Sequence, residues 1–144
     1  MNSKEFKDNS ISRLLFHAAD QWPDKPAITF SGATQSWLET RNRCHAAATL
    51  FHRLGVGAGD RVAYLGLNSN VCFESYYSPA LIGAIFVPIN HRLSIREMVE
   101  CIEDCTPKIL IVDENFIEQA DHLLKAVSYT HLRAHETKAN LVWR

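Results

Sequence analysis

The sequence has no membrane-length apolar run, no block of like charge and no secretory signal. Its longest apolar segment, "PALIGAIFVPI" at residues 79–89, is well short of the roughly 20 residues that span a membrane. The net charge is −1 and the lysines and arginines are dispersed, which argues against a nucleic-acid partner. The first ten residues, "MNSKEFKDNS", lack the apolar core of a signal peptide. We therefore expect a cytoplasmic protein without a transmembrane segment.

The four cysteines lack the spacing of a metal-binding or disulfide framework. Cys101 and Cys105 are four residues apart and would share one face of a helix, but a structural metal needs two further ligands. Cys44 and Cys72 each stand alone in the sequence. We expect four buried free thiols and no metal site.

Apolar segments without strict alternation are separated by amphipathic helical patterns. The segments "RVAYLG", "IFVPI" and "KILIVD" are predicted strands, and this order predicts a three-layer α/β fold whose mostly parallel sheet has helices on both faces. "AITF" and "ATQS", joined by Ser31 and Gly32, predict a short N-terminal hairpin. A chain of 144 residues with 47% hydrophobic content is sufficient for one domain.

Local signals place the helix ends. Ser36 with Glu39, and Ser94 with Glu97, have the spacing of a capping box at the start of a helix. The glycines of "LGVGAGD" follow a helix and precede a strand, the reverse of a dinucleotide-binding loop, so we interpret Gly55 as a helix C-cap. "NSNVCFESYYSPALIGA" predicts a buried helix with a kink at Pro79.

The segment "GAIFVPINHRLS", residues 83–94, contains the candidate binding residues. Ligands of open α/β sheets bind beyond the carboxyl ends of the strands, which makes Asn90 and Arg92 candidates for substrate binding. A structural alternative exists for both residues. Pro88 can end the strand, Asn90 can bond its own backbone in the turn, and Arg92 can hold a neighbouring carboxylate or carbonyl.

Four segments in order, "TQSWLE", "GDRVAYLGLNSN", "LIGAIFVPINHRLSIREM" and "CTPKILIVD", resemble the N-terminal region of the adenylate-forming enzymes. This superfamily comprises acyl-CoA synthetases, aryl-CoA ligases, luciferases and peptide-synthetase adenylation domains. Trp37 has the usual aromatic position of its first conserved segment, and Gly83, Ala84, Pro88 and Asn90 resemble its second. The form "P-x-N-x-R-L" is more similar to acyl-CoA ligases than to peptide-synthetase domains. The resemblance covers about residues 12–127.

The resemblance implies an AMP-forming ligase of fatty acid metabolism or of aromatic acid activation. Its parent would use ATP, Mg²⁺ and coenzyme A to convert a carboxylic acid to an acyl-adenylate and then to a thioester. In the family the catalytic groups come from a Ser/Thr/Gly-rich loop ending in Pro-Lys, a later acidic residue and a lysine of a C-terminal domain. This sequence has no such segments, so the resemblance implies no catalytic residue and no cofactor bound by this chain alone. The alternative is a stand-alone, non-catalytic α/β binding module.

The expected organisation is an N-terminal arm at residues 1–10, a partial ligase subdomain at 11–127 and a non-native tail at 128–144. The tail, "SYTHLRAHETKANLVWR", resembles sequence produced by read-through into a library adapter. Its functional alternative is a metal site formed by His131, His135 and Glu136. Zinc proteases have glutamate directly after the first histidine, where this chain has Leu132, so we expect no such site.

Overall fold

The structure, a computed structural model, describes residues 11–127 and the backbone of 134–136 and 141–143. The predicted arm and most of the predicted tail, including His131, lie outside the described residues. The helices are α1 (Ile11–Gln21), α2 (Trp37–Arg53), α3 (Asn70–Tyr77), α4 (Ile95–Cys105) and α5 (Ile117–Ala126). The strands are β1 (Pro26–Phe30), β2 (Ala33–Ser36), β3 (Arg61–Leu65), β4 (Ile85–Ile89), β5 (Ile109–Val112), β6 (Ala134–Glu136) and β7 (Leu141–Trp143).

The main sheet has the strand order β4-β3-β5-β7-β6. Strands β4, β3 and β5 are parallel, with Val62 of β3 in register with Phe86 on one side and Ile109 on the other. Strand β7 then pairs antiparallel with β5, and β6 pairs antiparallel with β7. The prediction of a mostly parallel sheet is confirmed for the three strands that the apolar segments indicated.

Both faces of β3 are buried because its side chains alternate between two apolar clusters. Ala63 and Leu65 belong to the cluster that contains Met98 and Ile102 of α4 and Leu123 of α5. Val62 and Tyr64 belong to the other cluster, with Phe51 of α2 and Cys72 of α3. This double burial explains why the strand has no polar alternation, and it confirms the three-layer α/β fold.

The local signals of the sequence are confirmed. Strands β1 and β2 form an antiparallel hairpin whose turn places Ser31 and Gly32 at positive φ. Ser36 and Glu39 form a complete capping box at α2, and Ser94 and Glu97 form one at α4. Gly55 has a φ of 86°, the left-handed conformation that ends α2.

The predicted kink at Pro79 is wrong in detail, because the helix ends there. Helix α3 finishes at Tyr77, and a separate 3₁₀ turn runs over Pro79–Ile82 with proline at its first position. Proline has no backbone N–H to donate and is tolerated at a helix start, so a new turn replaces a bent helix. Gly83 then closes the turn at a φ of 73° and leads into β4.

The expectation of four buried thiols holds for only two of them. Cys44 and Cys72 are buried, Cys105 is half-buried, and Cys101 is exposed. Helix α4 turns Met98 and Ile102 towards the sheet, which leaves Cys101 on its solvent side. No group of three metal-ligating side chains is found within the described part of the chain.

Thiol alkylation is expected to separate these cysteines. Burial raises the pKa of the Cys44 thiol to about 11, so about one Cys44 in a thousand is a thiolate at pH 8. Iodoacetamide at pH 8 should modify Cys101 rapidly and Cys44 only after denaturant is added, as peptide mapping by mass spectrometry would show. Equal labelling of both residues in the folded protein would contradict the burial of Cys44.

No helix among the described residues is long and apolar enough to cross a membrane.

Candidate functional site

Three loops lie together where the parallel strands β3, β4 and β5 end. They cover residues 66–69, 90–94 and 113–116 and lead into α3, α4 and α5. The carboxyl edge of a parallel sheet is the usual position of a ligand in this fold class. The predicted candidates, Asn90 and Arg92, both lie in the loop after β4, which covers residues 90–94.

The loop after β3 lies very close to the loop after β5. A β-carbon added to Gly66 would lie 2.6 Å from Asp113 Cβ and 2.8 Å from the Tyr64 hydroxyl oxygen, so only glycine fits. The Asp113 N–H donates to the Leu65 carbonyl oxygen at 2.9 Å, which joins the two strand ends. Sequence analysis did not identify this contact, although a glycine directly after a buried strand could have suggested it.

Tyr64 fixes the start of the same loop from inside the sheet. Its hydroxyl donates to the Leu67 carbonyl oxygen at 2.8 Å and lies 3.3 Å from the Ser69 hydroxyl. The Ser69 hydroxyl accepts from the Cys72 N–H at 3.1 Å and caps α3. Burial raises the pKa of Tyr64, so its phenol stays protonated and is a structural hydrogen-bond donor.

Asn90 makes the turn that its sequence position suggested. Its Oδ1 accepts from the Arg92 N–H at 3.0 Å, and its carbonyl oxygen accepts from the Leu93 N–H at 3.1 Å. The Asn90 side chain is exposed on the strand end. One lone pair of this oxygen is therefore used within the turn, and the amide NH₂ group and the second lone pair remain to face a ligand.

Arg92 is exposed, and among the described residues its guanidinium makes no hydrogen bond or ion pair. Sequence analysis offered a neighbouring carboxylate or carbonyl as a structural partner of Arg92. No such partner is found in the described part of the chain. The backbone on both sides is fixed, because Asn90 closes the preceding turn and Ser94 caps α4. A cation on a fixed turn at the carboxyl edge is suited to hold an anionic group.

His91 ties this loop to the one after β5. Its ring lies 5.3 Å from the ring of Phe116, and its carbonyl oxygen accepts from Gln119 Nε2 at 3.3 Å. These contacts cross 25 or more positions of sequence and were not predicted from it. They hold the turn that carries Arg92 against the start of α5.

The start of α4 contributes a fixed negative charge beside the loop that carries Arg92. Glu97 accepts from the Ser94 hydroxyl at 2.7 Å and from the Ser94 N–H at 2.8 Å. The Ser94 side chain and then its backbone hold the pKa of Glu97 below the ordinary value. Glu97 therefore stays ionised at neutral pH and stabilises the N-terminus of α4.

A second polar group, missed by sequence analysis, lies under the hairpin. Glu74 of α3 has a side chain only 8% exposed and accepts from Arg43 of α2 at 2.5 and 3.2 Å. Gln35 of β2 donates to the same carboxylate at 2.8 Å and to the Thr40 hydroxyl at 3.2 Å. The hydrogen bond with Glu74 raises the pKa of Arg43. The one charge in the apolar segment "VCFESYYSPALIGA" could have suggested a buried, paired carboxylate.

This Glu74 cluster (Gln35, Thr40, Arg43 and Glu74) borders an open groove of about 640 Å³ between the hairpin, α2 and α3. Arg43 and Gln35 form part of its polar wall, and Ile28 and Phe30 form part of its apolar wall. A smaller groove of about 250 Å³ lies between Phe30 and the α3 side chains Phe73 and Tyr76. Neither groove is lined by residues of the loop that carries Arg92, but the smaller groove reaches the loop after β3 through Asn68 and Ser69.

Comparison with known proteins identifies the class of protein that has this fold and this carboxyl edge of the parallel sheet. The chain is 32% identical to the indoleacetate–CoA ligase of Aromatoleum aromaticum over 118 residues, which are 82% of this chain and 23% of the ligase. It is 31% identical to the 2-succinylbenzoate–CoA ligase of Oceanobacillus iheyensis over 121 residues, 83% of this chain and 25% of that protein. A Mycobacterium tuberculosis fatty acyl CoA synthetase superimposes with a TM-score of 0.78 at 26% identity, covering 85% of this chain and 24% of that one.

The fold is therefore that of the acyl-CoA and aryl-CoA ligases. The family described as AMP-binding enzyme matches residues 15–142, and the chain belongs to this family. The chain spans about a quarter of the length of these relatives. The resemblance inferred from the sequence motifs is confirmed, and the predicted boundary at residue 127 stays a prediction.

Proposed function

We propose that this chain is part of an ATP-dependent, AMP-forming acyl-CoA synthetase that activates a fatty or aromatic carboxylic acid. The observation that carries the proposal is the parallel sheet with its three close carboxyl-end loops, in a chain of the AMP-binding family. In such an enzyme the acid forms an acyl-adenylate from ATP with release of pyrophosphate, and the thiol of coenzyme A then takes the acyl group. The names of the relatives include an aromatic acid and a fatty acyl group, which supports this substrate range.

The described residues fit only a small part of what ATP and Mg²⁺ need. Phosphoryl chemistry requires a cradle of backbone donors, a metal and cations around the phosphates. Asp113 Oδ1 already accepts from the Asn115 N–H and side-chain amide, and no three metal-ligating side chains meet within residues 11–127. We infer that this chain alone catalyses no turnover, and that it supports a site completed by other segments.

Within that site we assign Arg92 the role of holding an anionic group of ATP or coenzyme A. Its guanidinium is exposed at the carboxyl edge, and its backbone is fixed by Asn90. Asn90 itself acts as a positioning residue, because its Oδ1 is used by the turn. The alternative of a non-catalytic binding module requires the same edge to bind a ligand without forming a thioester.

A chimeric ligase tests this proposal. Residues 15–127 of this chain replace the matched segment of the A. aromaticum indoleacetate–CoA ligase, and thioester formation is measured with aromatic and fatty acids. We expect thioester formation, and an Arg92→Ala variant with KM for ATP or coenzyme A raised about tenfold and kcat changed less than about twofold.

Arg96→Ala is the matched control, because the Arg96 side chain is 89% exposed on α4 and, among the described residues, pairs with Glu100 alone. Its kinetic constants should stay those of the unmutated chimera. A folded chimera that forms no thioester would contradict the proposed function. If Arg92→Ala and Arg96→Ala change the kinetic constants equally, Arg92 does not hold an anionic group of the substrates. The proposed enzyme class would still stand.

A further inference from the structure

Two cysteines lie one helical turn apart at the carboxyl end of α4. Cys101 is exposed, and Cys105, the last residue of the helix, is half-buried. Residues i and i+4 of a helix lie on the same face, with their α-carbons about 6 Å apart. A disulfide can join two cysteines whose α-carbons are roughly 4.4–6.8 Å apart. The α-carbon spacing therefore allows Cys101 and Cys105 to form a disulfide with each other.

The other two cysteines of the chain cannot take part in this pairing. Cys44 and Cys72 are buried, and they lie with α2 and α3 on the opposite face of the main sheet from α4. The Cys44 thiol donates to the Glu74 carbonyl oxygen of α3, and Cys72 packs into the apolar cluster that contains Val62 and Tyr64. The sequence has four cysteines, so within one folded chain Cys101 and Cys105 have only each other as partners.

The end of α4 is both held and strained. Arg61 of β3 donates through Nε to the Cys105 carbonyl oxygen and through Nη2 to the Thr106 carbonyl oxygen at 2.9 Å. Thr106, which follows the helix, has a φ of 40° and donates its N–H to the Ile102 carbonyl oxygen at 2.8 Å. A β-branched residue rarely adopts a positive φ, so this turn stores strain that a rearrangement can release.

Closing a disulfide would move this turn. The β-carbons of residues one helical turn apart are about 5–6 Å from each other, whereas a disulfide needs about 3.5–4.5 Å. The last turn of α4 must therefore tighten. Because Cys105 is the residue that moves, its carbonyl oxygen is drawn away from Arg61, and the contact between α4 and the start of β3 weakens.

We propose that Cys101 and Cys105 form a peroxide-sensitive dithiol whose oxidation to a disulfide loosens the last turn of α4. The Cys101 thiolate attacks one oxygen of hydrogen peroxide, the O–O bond breaks, and hydroxide leaves the newly formed sulfenic acid. The Cys105 sulfur then attacks the Cys101 sulfur, the S–S bond forms, and the sulfenic oxygen leaves as a second hydroxide. The two thiol protons convert both hydroxides to water, and the two thiols supply the two electrons that the peroxide takes up.

Exposure assigns the two roles. Cys101 meets the oxidant first, because its side chain is on the solvent side of α4. Burial raises the pKa of the Cys105 thiol, and the nearby charges of Asp104 and Cys101 raise it further, while Arg61 lowers it. Cys105 is therefore mostly protonated at neutral pH, which suits a resolving thiol better than a first nucleophile. The inference does not depend on the proposed function.

Peptide mass measurement on the 144-residue chain tests the proposal. After treatment with millimolar hydrogen peroxide and alkylation in denaturant, trypsin releases residues 97–108, "EMVECIEDCTPK", which contain both cysteines. We expect this peptide to be two hydrogen atoms lighter and unalkylated, and dithiothreitol before alkylation should restore two labels. Cys44 and Cys72, as internal controls, should be alkylated in the same sample. Two free thiols in the peptide, or a disulfide that joins two copies of the chain, would overturn the proposal.

Two serine variants separate a dithiol from a single reactive thiol. In Cys105→Ser the resolving thiol is absent, so dimedone should trap at least about fivefold more sulfenic acid at Cys101 than in the unmutated chain. Cys101→Ser is the matched control, and peroxide should oxidise its Cys105 at least about tenfold more slowly than it oxidises the pair. Equal dimedone labelling of Cys105→Ser and the unmutated chain would show that Cys105 does not resolve the sulfenic acid, which would overturn the proposal.

Hydrogen exchange tests the structural consequence. In the oxidised chain the amides of residues 103–106 should exchange about tenfold faster than in the reduced chain. Amides at the start of α4, residues 97–100, should change less than about twofold. A disulfide that forms without faster exchange at 103–106 would overturn the proposed loosening of α4.

Discussion

Arg43→Ala is expected to lower the free energy of unfolding by about 3 kcal/mol, because it leaves the buried carboxylate of Glu74 without its cation. The Glu74 side chain is 8% exposed, and within the described part of the chain only Gln35 would still donate to its carboxylate. Breaking a buried ion pair on one side costs much more than the pair itself contributes. Urea denaturation followed by circular dichroism measures the change.

Arg96→Ala is again the matched control, since it breaks an exposed ion pair with Glu100 and should cost less than about 0.5 kcal/mol. Glu74→Gln should cost about 1 kcal/mol, because a carboxamide needs no cation and Arg43, 49% exposed, can turn to water. Equal losses for Arg43→Ala and Arg96→Ala would show that Glu74 is hydrated in the folded chain.

Gly66→Ala is expected to destabilise the fold by about 2–3 kcal/mol, because the new methyl group has no space. It would lie 2.6 Å from Asp113 Cβ, which is fixed to the backbone, and within 3 Å of two atoms of Tyr64, whose side chain is buried and held by its hydrogen bond to the Leu67 carbonyl oxygen. Relief of the overlap must separate the ends of β3 and β5, where Asp113 bonds the Leu65 carbonyl. Urea denaturation gives the loss, and hydrogen exchange of the 66–69 loop shows where it occurs.

Gly57→Ala controls for the change of residue type. A β-carbon at Gly57 would meet only Asp60 Oδ2 at 3.7 Å, an ordinary contact. The expected change is within about 0.5 kcal/mol, with a slight gain from the stiffer unfolded chain. A Gly66→Ala variant as stable as Gly57→Ala would mean that the two strand ends move apart without cost.

The candidate site was found only in part from the sequence. The position after β4 identified Asn90 and Arg92, and the turn made by Asn90 followed from its own residue type. The support of this turn by Phe116 and Gln119 was not predictable, because it depends on how α5 packs against α4 and the loop after β4. The same limit applied to Cys101, since spacing gives the face of a helix but not the direction in which that face points.

The order of the helices and strands from α1 to α5, the hairpin, both capping boxes and the family follow from the sequence alone. These features depend on hydrogen bonds between residues close together in the sequence, or on the periodic spacing of apolar residues. Neither depends on how the elements pack against each other. The packing of the elements, in contrast, brings Arg43 to Glu74 across 31 positions, places Gly66 against Asp113 and leaves Arg92 exposed. Such contacts are set by the rotation and separation of packed elements, which local patterns do not specify.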